Sequence, residues 1–279
     1  MAAAPLVFIT GASSGIGQAL AAHYHQAGWR LALVARRTDL MKTWAEAQGY
    51  SASSYAIYSA DVANAGSIMA AAEDCIASQG LPDVVIANAG ISIGVDTARR
   101  EDIEVMARLY ATNNIGMAAT FQPFVAPMAQ RGSGRLVGIA SVAGIRGLPG
   151  HGAYCSSKAA VISYCESLRG ELRGTGVRVV TLCPGYVDTP LTRQNRYAMP
   201  FLMAPQDFAR QAFRAIAAGV SYRVTDRDRV AAALEWNAQS GNLHDVDYYW
   251  FHDFHCTQLI LRYRSKQDTW RVQWQFTPW

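Results

Sequence analysis

Lysine is nearly missing from this chain of 279 residues; only Lys42, Lys158 and Lys266 occur. Charged residues together make up 16%, and the formal net charge is +4. That charge is spread along the chain without a basic run, so nothing suits a nucleic-acid backbone and no nucleic-acid partner is expected. Long apolar runs are absent as well. The longest, 84–95 and 117–129, carry Asn, Gln, Gly or Pro, and they fall short of the roughly 20 apolar residues of a membrane span. Met1–Pro5 has no positive charge and leads straight into a strand-like segment, so no signal peptide is read there. The five cysteines are odd in number and lack metal-ligand spacing. Reduced thiols, a cytoplasmic location and no metal site are therefore expected. His252 and His255 are spaced like a metal pair but have no partner cluster.

What the chain does have is apolar residues, 51% of the total, enough for a large core and against disorder. Their period switches repeatedly between strand and helix. Leu6–Ile9, Leu31–Ala35, Ser54–Tyr58, Asp83–Ala87, Leu136–Ala140 and Val177–Leu182 read as strands. Ile16–Gln26, Leu40–Gln48, Ile68–Ser78, Ile103–Ala119 and Tyr154–Arg173 read as helices between them. Short continuous apolar strands separated by helices are strands buried on both faces. The expected fold is α/β: a doubly wound parallel sheet of the Rossmann type, in three layers. The catalytic domain is expected over 1–225, with a substrate lid at about 191–215 and an atypical tail over 226–279.

The segment Thr10-Gly11-Ala12-Ser13-Ser14-Gly15-Ile16-Gly17 joins the first strand to the first helix. Glycines there allow a tight turn and close approach of a pyrophosphate, and the helix start offers free N–H groups. The spacing is GxxxGxG, not the GxGxxG of the general dinucleotide fingerprint. With further motifs downstream, the chain resembles the short-chain dehydrogenase/reductase family over roughly Pro5 to Thr192. TGASSGIG matches that family's cofactor turn, giving Gly11, Ser13, Ser14, Gly15, Ile16 and Gly17 as cofactor contacts. Asp61-Val62 matches its adenine-contacting pair, Asn88-Ala89-Gly90 the motif ending the fourth strand, and Pro184-Gly185 the turn after the sixth. In the run Tyr186–Leu191 the resemblance implies contacts from Val187 and from Thr189 to the nicotinamide carboxamide. At the end of the second strand stand Arg36 and Arg37 instead of a carboxylate. A carboxylate would repel a 2′-phosphate, whereas a guanidinium can bind it through paired hydrogen bonds. NADP(H) is therefore expected over NAD(H), with Arg36 the stronger candidate because it directly follows the strand.

Tyr154 and Lys158 stand four residues apart on a predicted helix and so share one face. Ser141 follows the fifth strand, where a doubly wound sheet opens its crevice. A free phenol titrates near ~10, too high for efficient proton transfer at neutral pH, and a nearby ammonium lowers that value. Tyr154 is then general acid in reduction and base in oxidation, and Ser141 hydrogen-bonds the substrate oxygen. By resemblance, Lys158 also binds the nicotinamide ribose. Asn113, three residues before Gly116, is by the same resemblance the fourth catalytic residue, holding a water that links Lys158 to solvent. Cys155 should point about 100° away around the helix and is not read as a nucleophile.

The expected activity is interconversion of a carbonyl, ketone or aldehyde, and an alcohol. A non-catalytic NADP(H)-binding regulator is the alternative; the intact Ser/Tyr/Lys/Asn set argues against it. Met199, Phe201, Leu202 and Met203 are candidates for an apolar substrate wall or for ordinary core packing. A homo-oligomer, dimer or tetramer, is implied by the resemblance. From about Val220 the resemblance fades. The tail carries Trp236, Trp250, Trp270, Trp274 and Trp279, without clean helical or strand period around Asp247–His252. It reads as a substrate cap or subunit contact, as an aberrant shifted-frame terminus, or as a membrane-surface anchor. A short final strand is expected at Ser221–Val224.

Overall fold

The structure is a computed structural model and describes residues 4–194, 199, 202–219, 228–237, 242–254, 257–264 and 269–276. Strands β1 (Leu6–Thr10), β2 (Arg30–Ala35), β3 (Tyr55–Ser59), β4 (Val84–Ala87), β5 (Gly134–Ile139) and β6 (Val177–Leu182) form one sheet in the order β3-β2-β1-β4-β5-β6. Every pairing in it is parallel. Helices α1 (Gly15–Gln26), α2 (Thr38–Ala47), α3 (Ala65–Gln79), α4 (Asp102–Tyr110), α5 (Gly116–Arg131), α6 (Gly152–Glu171) and α7 (Pro205–Ala218) join or follow the strands.

Alternation along β1 explains the layering. Leu6 and Phe8 join a core with residues of α3, α5 and α6 on one face. Val7 and Ile9 join another with Leu20 and Tyr24 of α1, Met41 of α2 and Phe208 of α7 on the other face. Successive side chains of a strand point to opposite faces, so continuous apolar strands serve two cores at once. The strand order reverses direction at β1, since β2 and β4 lie on either side of it. Such a reversal leaves a crevice at the carboxyl ends of the strands.

Two expectations about helices change. The segment 103–119 is not one helix: α4 passes through a π-helical turn, Ala111–Ile115, into α5, which runs on to Arg131 with Pro123 and Pro127 inside it. The second concerns part of the segment expected as a lid, which is helix. From Pro205 onward the chain is α7, which buries Phe208, Ala209, Ala212, Ala215 and Ile216, and these belong to the core beside α1. Proline at the first helical position suits a helix start, because its missing N–H would be unpaired there in any case.

The chain divides into two compact units, 1–222 and 223–279. The second contains β7 (Asp228–Asn237), β8 (Asn242–Phe254), β9 (Thr257–Arg264) and β10 (Thr269–Phe276) in one antiparallel sheet of order β10-β9-β8-β7. The tail thus has regular strands where no clean period was read. Consecutive aromatics at Tyr248-Tyr249-Trp250-Phe251 hide the alternation in β8. The strand expected at Ser221–Val224 lies outside the described residues. No described helix is long and apolar enough to cross a membrane.

Candidate active site

The crevice at the β1 reversal is a cleft of about 650 Å³. Gly11, Ser13, Ser14, Gly15 and Ile16 line it from the turn after β1, with Arg36 and Arg37 after β2 and Asp61 and Val62 after β3. Asn88, Ala89 and Gly90 follow β4, Ser141 follows β5, and Pro184, Gly185, Val187 and Thr189 follow β6. Tyr154 and Lys158 reach the same cleft from α6. The structure thus gathers nearly every residue singled out in the sequence. Gly17 and Asn113 stand just behind the lining.

Close packing explains the glycines of the turn. Gly11 has φ +67°, and a Cβ there would stand 2.9 Å from the Ala89 Cα. At Gly17 a Cβ would collide with the Gly11 carbonyl. The turn is braced from β4: Asn88 Nδ2 donates to the Thr10 and Gly11 carbonyls at 2.9 and 3.4 Å. The Thr10 hydroxyl accepts from the Asn88 and Ala89 N–H groups, each at 3.1 Å. The Asn88 side chain therefore holds the turn in shape rather than reaching into the cleft.

This turn and helix start fit a pyrophosphate. Ser14 precedes α1 in extended conformation, makes no side-chain capping bond, and no acidic residue stands in the first turn. By contrast α3 is capped internally, Asn64 accepting from the Ser67 N–H. Uncapped N–H groups at the positive end of a helix favour an anion. Across the cleft Arg37 donates to the Ser13 hydroxyl at 3.2 Å. Arg36 lies 3.7 Å from Asp61, both side chains being largely exposed at 73% and 44%.

At the other end lie the four residues expected to be catalytic. Ser141 is extended, and its hydroxyl accepts from the Ala143 N–H at 3.1 Å. The Ser141 hydroxyl also donates to the Pro184 carbonyl at 3.5 Å, and its polarity acts on the neighbouring Tyr154 phenol. Lys158 is 6% exposed; its Nζ lies 5.9 Å from the Tyr154 ring centre and donates to the Ile139 carbonyl at 2.8 Å. Asn113 is held in the π-helical turn, its Oδ1 accepting from Ile91 N–H at 2.9 Å. Its Nδ2 donates to the Ile91 carbonyl at 3.0 Å and to Ser157 Oγ at 2.9 Å. Asn114, its neighbour, donates instead to the Ser157 carbonyl at 2.8 Å. A Cβ on Gly90 would lie 3.2 Å from Asn113 Oδ1 and 3.4 Å from Lys158 Nζ, so these two groups meet over that glycine.

The electrostatics differ from the expectation at one point. Burial raises the Tyr154 phenol above its ordinary value, with the Ser141 hydroxyl pulling the other way. Burial also brings the Lys158 ammonium down to about 8. An ammonium was expected to lower the phenol, but in this environment removal of both groups from water is the larger effect.

Thr189 is buried and bonded to Thr192, whose hydroxyl accepts from the Thr189 N–H at 2.9 Å and donates to the Val187 carbonyl at 2.6 Å. Met203 pairs with Val187 and packs against the core beside α1. Leu202 is exposed, and Phe201 lies outside the described residues. The described residues hold no cluster fit for a metal ion. Sequence reasoning missed Ile91, Ile93, Arg108, Ala111 and Thr112 in the lining. Their one signal is helical spacing: Arg108, Ala111 and Thr112 share a face one turn deep.

The comparisons agree with this geometry. Residues 5–199 match the family model described as short chain dehydrogenase. An uncharacterized oxidoreductase of Myxococcus xanthus (strain DK1622) is 40% identical over 202 residues, 71% of this chain and 78% of that protein. The dehydrogenase/reductase SDR family protein 7-like of Anopheles gambiae is 33% identical over 67% of this chain, which spans only 60% of that longer protein. A Sphingobium yanoikuyae short-chain dehydrogenase in complex with NADPH superposes with a TM-score of 0.68 at 26% identity, covering 78% of this chain and 86% of that one. One from Burkholderia phymatum in complex with NAD gives 0.70 at 25%, covering 78% and 88%. Matched from its first strand through its sixth and beyond, this chain belongs to the short-chain dehydrogenase/reductase family.

Proposed function

We propose that the chain is an NADP(H)-dependent oxidoreductase that interconverts a carbonyl compound and an alcohol, with Tyr154 as the acid and base. The observation that carries this reading is the phenol of Tyr154, beside Ser141 and backed by the Lys158 ammonium, in a cleft that opens at an uncapped helix start.

The nicotinamide cofactor supplies or takes the hydride; the chain's own residues handle position and proton. Tyr154 donates its phenolic proton to the substrate oxygen in reduction and recovers it in oxidation. Ser141 hydrogen-bonds the same oxygen while charge develops on it. Lys158 stabilises the phenolate electrostatically, an effect strengthened by burial, since charges interact more strongly away from water. Asn113 holds the π-helical turn against Ile91 and Ser157, and with it the wall beside Lys158. At the adenosine end, Arg36 and Arg37 replace the carboxylate that would select a free ribose hydroxyl. Exposed Leu191 in the cleft lining suits an apolar substrate. Exposed Ile103 and Met106 on α4 and Tyr164 on α6 offer an apolar surface for association of like chains.

The test is titration of the purified protein with NADPH and NADH, followed by a carbonyl screen with Tyr154→Phe as control. NADPH is expected to bind more tightly. Y154F is expected to keep its cofactor affinity within about twofold and to lose about 10²–10⁴ in kcat, the range for removal of a general acid. A folded protein that binds neither cofactor sinks the reading.

A further inference from the structure

Resting on that reading, we infer that Arg108, on α4, is a third cation for the 2′-phosphate of NADP(H) and the one that decides the preference over NAD(H). Arg36 is the guanidinium nearest the second strand, but it faces Asp61 at 3.7 Å. Among the described residues, Asp61 is the one carboxylate lining the cleft. A dianionic phosphate approaching Arg36 must therefore also approach that carboxylate, and the two effects oppose each other. Arg37 is already turned to the Ser13 hydroxyl. Arg108 lines the same cleft. Among the described residues it has no ion pair and no side-chain hydrogen bond.

Packing joins the helical stretch that follows Arg108 to the adenosine end. The backbone of Gly116 sits directly against Val62, where a Cβ would come within 2.5 Å of the Val62 carbonyl oxygen. This contact joins the start of α5 to the segment Asp61–Ala63, which also lines the cleft. Thr112 stands one turn before Gly116, and Arg108 one turn before Thr112. Both face the cleft. The helix thus carries a guanidinium along the same cleft wall, two turns before the glycine that meets Val62. A guanidinium presents a fork of donors that matches two phosphate oxygens at once. Held on a helix, it also loses less freedom on binding than one in a loop.

The experiment is calorimetric titration of NADPH and NADH into the wild type, Arg108→Ala, Arg108→Lys and Arg36→Ala. Arg108→Ala is expected to weaken NADPH by about tenfold or more, the size of one charge-assisted hydrogen bond. NADH should change by less than about twofold, and Arg108→Lys should fall between, retaining charge without the fork. Equal weakening of both cofactors would overturn the assignment, placing Arg108 on a part that the two share. An unchanged NADPH affinity in Arg108→Ala, with the wild type still preferring NADPH, overturns this inference alone. A wild type that prefers NADH, or binds neither, overturns the underlying reading together with it.

Discussion

Lys158 is the residue on which the competing demands of fold and chemistry meet. Its ammonium is buried on α6, and burial brings its pKa from 10.5 to about 8. Between pH 8 and 10.5 the unfolded chain holds this proton and the folded chain does not, so the site's contribution to stability grows as pH rises through that window. Below about 8 the charged form is held at a cost. Lys158→Met should therefore be more stable than the wild type at pH 7, by about 2 kcal/mol, and lose that advantage by pH 10. Denaturant unfolding at the two pH values checks this, and equal stability at pH 7 would mean that the Ile139 carbonyl fully compensates the ammonium. The same value sets the chemistry. Tyr154 is raised by burial and remains protonated above neutrality, so kcat/KM for reduction should fall as pH passes about 8, when Lys158 discharges. Spacing and chemistry made Tyr154, Lys158 and Ser141 legible in the sequence. The direction of the Tyr154 shift was not, because it depends on how much water the folded cleft removes. Arg108 was also hidden, since its place in the lining rests on which face of α4 turns toward the cleft.

At the scale of elements, the π-helical turn Ala111–Ile115 organises the wall of the site. It places Asn113 against Ile91 and Ser157, and delivers Gly116 to the backbone of Val62. That last contact is backbone on both sides, so neither partner can rotate away from an added methyl. Gly116→Ala should destabilise the fold by about 1–3 kcal/mol, in the range for overpacking. It should also weaken cofactor binding, because Val62 lines the cleft; a variant with wild-type unfolding and binding curves would refute the argument. The parallel strands were readable as continuous apolar runs because burial on both faces removes any need for polar alternation. The π-helical turn was not readable. It is a change in hydrogen-bond register, and ATNNI carries no composition that distinguishes it from ordinary helix. In β10, Trp270, Val272, Trp274 and Phe276 do alternate with polar residues, a strand signal present in the sequence but masked by the crowded aromatics of β8.

For the molecule as a whole, the family match and the cleft both lie within the first unit, 1–222. The four-stranded sheet of 223–279 is a separate compact unit, and the family match at 5–199 ends before it. The start of α1 gives the first unit a further property. Among the described α-helices only α3 completes itself with a side-chain cap, Asn64, so what sets the uncapped start of α1 apart is that it opens on the cleft. Whatever anion settles there acts as a structural part as well as a reactant. Melting temperature should accordingly climb with NADPH concentration, by the equivalent of about 2.7 kcal/mol at a free concentration a hundred times Kd. Thermal denaturation across a concentration series reads this directly, and a flat series would show that the helix start takes no anion. With a nicotinamide cofactor as that anion, its level around the chain would set how long each copy survives proteolysis.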